Sequence, residues 1–212
     1  MNMTKQEAIE KMLAAEWEMF RSVNGNTRVD CQEDRRTFEV MRRAQYEAWS
    51  EEAVLSFCSD LLSAQEAGRN LSREKYIRMM EHSDPVGYAA FSGELPPLSR
   101  QQRELAAAIW EKYLAQTERM RERYPHIALG GRPLRACEET QGGMTSVETY
   151  QVCESLTYSE RTLEALYAHL TAMEAAGIDL AFEIQKNTVL GLGFSSMEEA
   201  ETCMAAAQGE RT

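Results

Sequence analysis

The sequence predicts an all-α fold: a single helical-bundle-like domain over residues 1–212, with about nine or ten helices and one long irregular loop near residues 125–145. Three observations predict it. Apolar residues recur at three- and four-residue spacings along most of the chain, helix-capping residues precede those runs, and no segment alternates with the two-residue period of a strand. At 212 residues and 43% hydrophobic content, the chain can bury a substantial core of its own.

The elements follow in order. Thr4 with Glu7 forms a capping-box pattern ahead of a first helix whose apolar arc holds Ile9, Met12, Leu13, Trp17, Met19, Phe20 and Val23. Asp30 with Glu33 is a weaker version of the same signal before a second helix, marked by Phe38, Met41, Ala44, Ala48 and Trp49. Ser50 caps a third helix ending near Gly68, Ser72 starts a short fourth, and Asp84 followed by Pro85 is a cap with proline at the first helical position. Pro96 and Pro97 interrupt the helical pattern before a long helix that starts near Ser99 and stops at Tyr124, ahead of Pro125.

From Pro125 to Thr145, Gly130, Gly131, Pro133, Gly142 and Gly143 break any period; a loop this long is a functional lid, a binding segment or disordered. Ser146 then opens a short helix, Ser159 another to about Ala176, Asp179 a third towards Leu190, and Ser195 or Ser196 the last, with Glu198 and Glu199 in capping positions.

Composition narrows the classes of function. Five cysteines, scattered and without a Cys-x-x-Cys pair, fit free thiols in a reducing cytosol. With no basic leader and no long apolar stretch, the expectation is a soluble cytoplasmic protein away from membranes. A formal net charge of -11 and a pI near 4.9 oppose nucleic-acid partners, since the mean field repels phosphate backbones. The phosphate-loop, His-Glu-x-x-His zinc and Gly-x-Ser-x-Gly nucleophile motifs are missing.

The chemistry rests on polar residues where apolar ones belong. Glu16 falls near the centre of the first helix's apolar arc, and an ionised carboxylate there is costly unless paired, metal-bound or neutralised. Cys31, Asp34 and Gln45 lie on the apolar side of the second helix; Glu154 shares a face with Val147 and Tyr150; Asn187 shares one with Leu180 and Ile184. Three arrangements satisfy such a set. One is a structural network in which Arg42, Arg132 or Arg135 neutralises the acids. A second is an acidic small-molecule pocket, with Glu16, Asp34 and Glu154 as its catalytic carboxylates and Gln45, Tyr150, Arg132, Asn187 and Cys31 binding the substrate. The third is a divalent metal on oxygen ligands, although the Glu-x-x-His spacing of di-iron bundles is missing and no cofactor is implied.

The residues also resemble a known family. Glu16-Trp17-Glu18-Met19-Phe20, Val23-Asn24, Cys31-Gln32-Glu33-Asp34, Phe38, Met41-Arg42 and Gln45 look like the bacterial domain-of-unknown-function family DUF 4125. The likeness continues through Gly68-Arg69-Asn70, Lys75-Tyr76, Met79-Met80-Glu81, Gly131-Arg132-Pro133, Glu148-Thr149-Tyr150, Leu156-Thr157-Tyr158-Ser159 and Asn187-Thr188-Val189, nearly the whole chain. The resemblance implies no reaction, cofactor or catalytic residue. It does imply company, because some members are joined to a nucleotidyltransferase-like domain. A non-catalytic helical interaction module beside such a partner is therefore the alternative to a small-molecule enzyme or binding protein.

Overall fold

Capping side chains set where the helices begin. Thr4 accepts a hydrogen bond from the Glu7 amide while the Glu7 carboxylate accepts from the Thr4 amide, closing the box that starts α1 (Lys5–Arg21). Ser50, Ser99, Ser146 and Ser159 accept in the same way at the heads of α3 (Glu51–Glu66), α6 (Arg100–Arg123), α8 (Val147–Ser155) and α9 (Glu160–Ala175). Asp84 caps α5 (Pro85–Phe91), with Pro85 in the first turn, where its missing N–H costs nothing. The remaining helices are α2 (Arg35–Ala48), α4 (Leu71–Ser83), α7 (Pro125–Ala128), α10 (Leu180–Gly191) and α11 (Met197–Gly209). This computed structural model describes residues 3–23, 34–129, 131–140 and 143–209, and among the described residues there is no strand; the protein is all-α.

Four expectations change. The second helix starts at Arg35 with Asp34 as its cap, 2.9 Å from the Thr37 amide, whereas Asp30 and Glu33 lie outside the described residues. Asn70, not Ser72, caps α4, accepting from the Arg73 amide at 2.9 Å. Asp179 stands at the head of α10 without capping it, because Arg119 on α6 takes both its carboxylate oxygens. The stretch after Pro125 is not wholly irregular: proline stops α6 and its fixed φ starts the one-turn α7, and a 3-10 turn follows at Ala136–Glu138.

Most of the core lies among α1, α2, α3, α4, α9 and α10. Ile9, Met12, Leu13, Val54, Leu61, Leu163 and Leu170 are fully buried there, each worth roughly 1.5–3 kcal/mol against exposure. Tyr46, Trp49, Phe57 and Tyr158 form an aromatic knot with ring centroids 4.5 to 6.0 Å apart. A smaller cluster of Tyr124, Val189, Met197 and Ala200 docks α11 on α7 and α10. The chain turns out of α3 at Gly68, whose φ of +69° is the left-handed conformation that closes a helix end. Among the described residues no helix is long and apolar enough to cross a membrane.

Candidate functional site

The acid on the wrong face of α1 finds its partner on α2. Arg42 donates through Nε to Glu16 Oε2 at 3.1 Å and through Nη2 to Glu16 Oε1, a two-pronged guanidinium–carboxylate pair. Its remaining terminal nitrogen donates to Glu154 Oε1 on α8 at 2.7 Å and to Gln45 Oε1 at 3.1 Å. Lys75 on α4 completes the cluster, its Nζ reaching Glu154 Oε2 at 3.2 Å and Tyr150 Oη at 2.7 Å. The Tyr46 hydroxyl donates to Glu16, and the Tyr158 hydroxyl to Glu154 at 2.8 Å. Two acids and two cations therefore balance, and each acid also receives a phenol.

Burial makes that balance necessary. The four charged side chains are only 6 to 13% exposed, where an unpaired ion costs several kcal/mol. Burial pushes the Glu154 carboxyl up, but Arg42 and Lys75 outweigh it and hold the pKa at about 2. Burial lowers the Lys75 ammonium, and Glu154 and the neighbouring tyrosines reverse that to leave it raised. Arg42 is raised well above its ordinary value in the same way, burial being overcome by Glu154 and Glu16. Desolvation drives Tyr46 and Tyr158 well above the usual phenol range, so both stay protonated donors.

The cluster is the floor of a cavity of about 730 Å³, within the usual range of small-molecule sites. Its apolar walls include Met19, Phe20, Phe38, Leu61 and Met120, and α10 contributes Ile184. Ile127, Ala128, Gly131 and Arg132 come from the segment after α6, so part of the long connection does border the site. Of the charged lining residues, Arg42, Lys75, Arg121 and Arg132 are basic and Glu16, Asp34 and Glu154 acidic. Among the described residues, the pocket expected to be acidic thus carries one more positive than negative group.

The sequence matches the family described as "Protein of unknown function (DUF4125)" over residues 6–202. The chain belongs to this family. No curated protein and no solved structure matches it. The DUF4125 match spans the whole cluster from Glu16 to Tyr158. Lys75-Tyr76, Gly131-Arg132, Tyr150 and Thr157-Tyr158, all within runs quoted above for the resemblance, line the cavity.

In this DUF4125 protein, Glu16, Glu154, Gln45, Tyr150 and Arg132 come together at the cavity. Asp34 does not join Glu16: it borders the cavity but is exposed, and its carboxylate is spent on the α2 amides. Asn187 stands outside, donating to the Ala44 carbonyl at 3.2 Å and so tying α10 to α2. Cys31 lies outside the described residues. Of the three arginines offered as neutralisers, Arg42 takes the acids, Arg135 pairs with Glu118, and Arg132 donates to the Thr145 carbonyl. Among the described residues no group of three or more His, Cys, Asp or Glu could hold a metal ion.

Lys75, Tyr46 and Tyr158 are the members that sequence reasoning missed. The sequence carries no clear signal for Lys75: it shares a face of α4 with Leu71, Glu74 and Arg78, a mostly charged face that reads as solvated until packing buries it.

Proposed function

We propose that this protein binds a small molecule in the cavity above the Glu16–Arg42–Glu154–Lys75 cluster. One observation carries the reading: the cluster is not packed over but borders open space. An ion-pair set serving stability alone gains nothing from such a cavity, since apolar residues of similar volume stabilise as well. In this reading Glu16 is a positioning residue rather than a general acid or base. It already accepts three hydrogen bonds, two from Arg42 and one from Tyr46, which commits it to holding the Arg42 guanidinium. Glu154 holds Arg42 and Lys75 in place, and Gln45, Tyr150, Lys75 and Arg132 face the ligand. Cys58, Cys137, Cys153 and Cys203 are free thiols, in keeping with a reducing cytoplasmic setting.

The test is a thermal-shift scan of the purified chain against nucleotides, amino acids, organic acids, polyamines and divalent metals. A ligand at about one hundred times its Kd adds roughly 2.7 kcal/mol, a shift of several degrees in a chain of this size. A hit whose shift falls in Gln45→Ala or Tyr150→Phe supports the cavity. The alternative, a non-catalytic module docking a nucleotidyltransferase-like partner, predicts no response in the scan and a stable complex with such a partner in pull-down.

A further inference from the structure

The Lys75 ammonium has three N–H donors. Two are used, on Tyr150 Oη and Glu154 Oε2, and the third has no oxygen acceptor among the described residues, although Lys75 is only 7% exposed. Tyr150 accepts from Lys75, so its own O–H must point elsewhere, and no described residue accepts it either. Both groups line the cavity, with Nζ and Oη 2.7 Å apart. Nζ also lies 4.0 Å from the Tyr150 ring centroid and 5.1 Å from that of Tyr76, so aromatic faces share its charge, but the remaining Lys75 N–H and the Tyr150 O–H are close enough to serve one oxygen acceptor.

The surrounding charge fixes the sign of that oxygen's owner. The floor is neutral as a set, and the Asp34 carboxylate caps α2. Arg121 and Arg132 also border the cavity, and among the described residues neither forms an ion pair: Arg121 donates to the Arg132 carbonyl at 2.9 Å and Arg132 to the Thr145 carbonyl at 3.0 Å. The Arg132 guanidinium lies 5.2 Å from the Tyr150 ring centroid. A cationic ligand would meet Lys75, Arg121 and Arg132, while each floor carboxylate already accepts three hydrogen bonds and is paired with a cation.

We propose that Lys75 and Tyr150 form the head-group site for an oxyanion, a carboxylate or phosphate monoester whose apolar body lies along Phe20, Phe38, Met120 and Ile127. One anionic oxygen accepts the third Lys75 N–H and the Tyr150 O–H, and Arg132 supplies the outer positive charge. This names the ligand class of the cavity proposed above and rests on that reading.

Isothermal titration calorimetry of the full chain with four matched probes tests it: 4-phenylbutyrate, 3-phenylpropyl phosphate, 4-phenylbutylamine and 4-phenylbutan-1-ol. The expected result is binding of one or both anions at least about tenfold tighter than the amine or the alcohol, with about a tenfold loss in Tyr150→Phe and in Arg132→Gln. Whichever anion binds more tightly names the head group. An amine or alcohol that binds as tightly as the anions overturns the head-group assignment and leaves the cavity reading standing. So does anion affinity unchanged in both variants. Failure of all four probes to bind overturns both. Arg132 is exposed and outside the ion-pair cluster, so its variant reports even where Tyr150→Phe disturbs Lys75.

Discussion

Arg42 on α2 donates to Glu154 on α8 at 2.7 Å across 112 residues of sequence, while its other nitrogens hold Glu16 on α1. One guanidinium thus joins three helices, and the two acids it holds are not equivalent. Among the described residues Glu16 has one cationic partner, Arg42, which keeps Glu154 when Glu16 is lost, whereas loss of Glu154 leaves Lys75 with no carboxylate at all. Glu154→Gln should therefore destabilise by about 3–5 kcal/mol, the cost of leaving a buried cation uncompensated, and Glu16→Gln by clearly less. Urea unfolding of the two variants measures this, and equal losses would refute the shared-guanidinium account.

Acid should expose the same residue. Glu154 titrates near 2 in the folded chain against an ordinary value of 4.5, so its contribution is complete above pH 4.5 and is lost as pH falls through 2. The difference corresponds to about 3 kcal/mol at neutral pH. Other carboxylates with lowered pKa values, such as Glu10 and Glu201, add to the acid limb. The diagnostic quantity is thus the stability of the native chain minus that of Glu154→Gln. It should be flat from pH 5 to 7 and shrink between pH 4.5 and 2; a difference that stays constant over that interval falsifies the assignment.

What was legible in the sequence was local. Thr4, Ser50, Ser99, Ser146 and Ser159 start their helices as the sequence indicates because a cap needs only its own next three residues. Glu16 and Glu154 were legible because an acid on an apolar stripe is an anomaly within one helix, and Arg42 because such acids need a cation. Asp34 is less legible, because the helical period runs on without a break past the start of α2 at Arg35 and only the fold shows that its carboxylate caps the helix. Lys75 was missed because adjacent Glu74 and Lys75 look like ordinary surface charge until α4 is packed on α1 and α8. The structural role of Asn187 is not legible, because its bond to the Ala44 carbonyl on another helix leaves no mark on sequence.

The approach of α10 to α2 is set by the lack of a side chain at Gly191. A Cβ built there would lie 2.7 Å from Val40 Cγ1, too close without movement of one helix or of the valine. Gly191→Ala should gain up to about 1 kcal/mol of helix propensity and lose about 1–3 kcal/mol to overpacking. A net loss of roughly 1 kcal/mol is expected. Trimming the valine removes the clash, so the Val40→Ala/Gly191→Ala double variant should lose less than the sum of the single losses. Additive losses in thermal or urea unfolding would show that the two side chains do not meet.

Thiol reactivity gives a clock for opening of the site. Cys137 and Cys203 are exposed, whereas Cys58 and Cys153 are buried, and burial pushes the Cys153 thiol up to about 11. At pH 8 roughly one Cys153 in a thousand is then thiolate, the reactive form, and even that fraction is shielded. Iodoacetamide followed by peptide mass spectrometry should modify Cys137 and Cys203 within the first minutes and leave Cys58 and Cys153 unmodified in the native chain. Cys153 precedes Glu154 on α8, so loosening the ion-pair cluster should free it first. Glu154→Gln is expected to raise Cys153 labelling by more than it raises that of Cys58, which sits on α3 in the main core. Equal acceleration of the two would mean that labelling proceeds only through global unfolding, and that the cluster does not hold α8 separately from the rest of the fold.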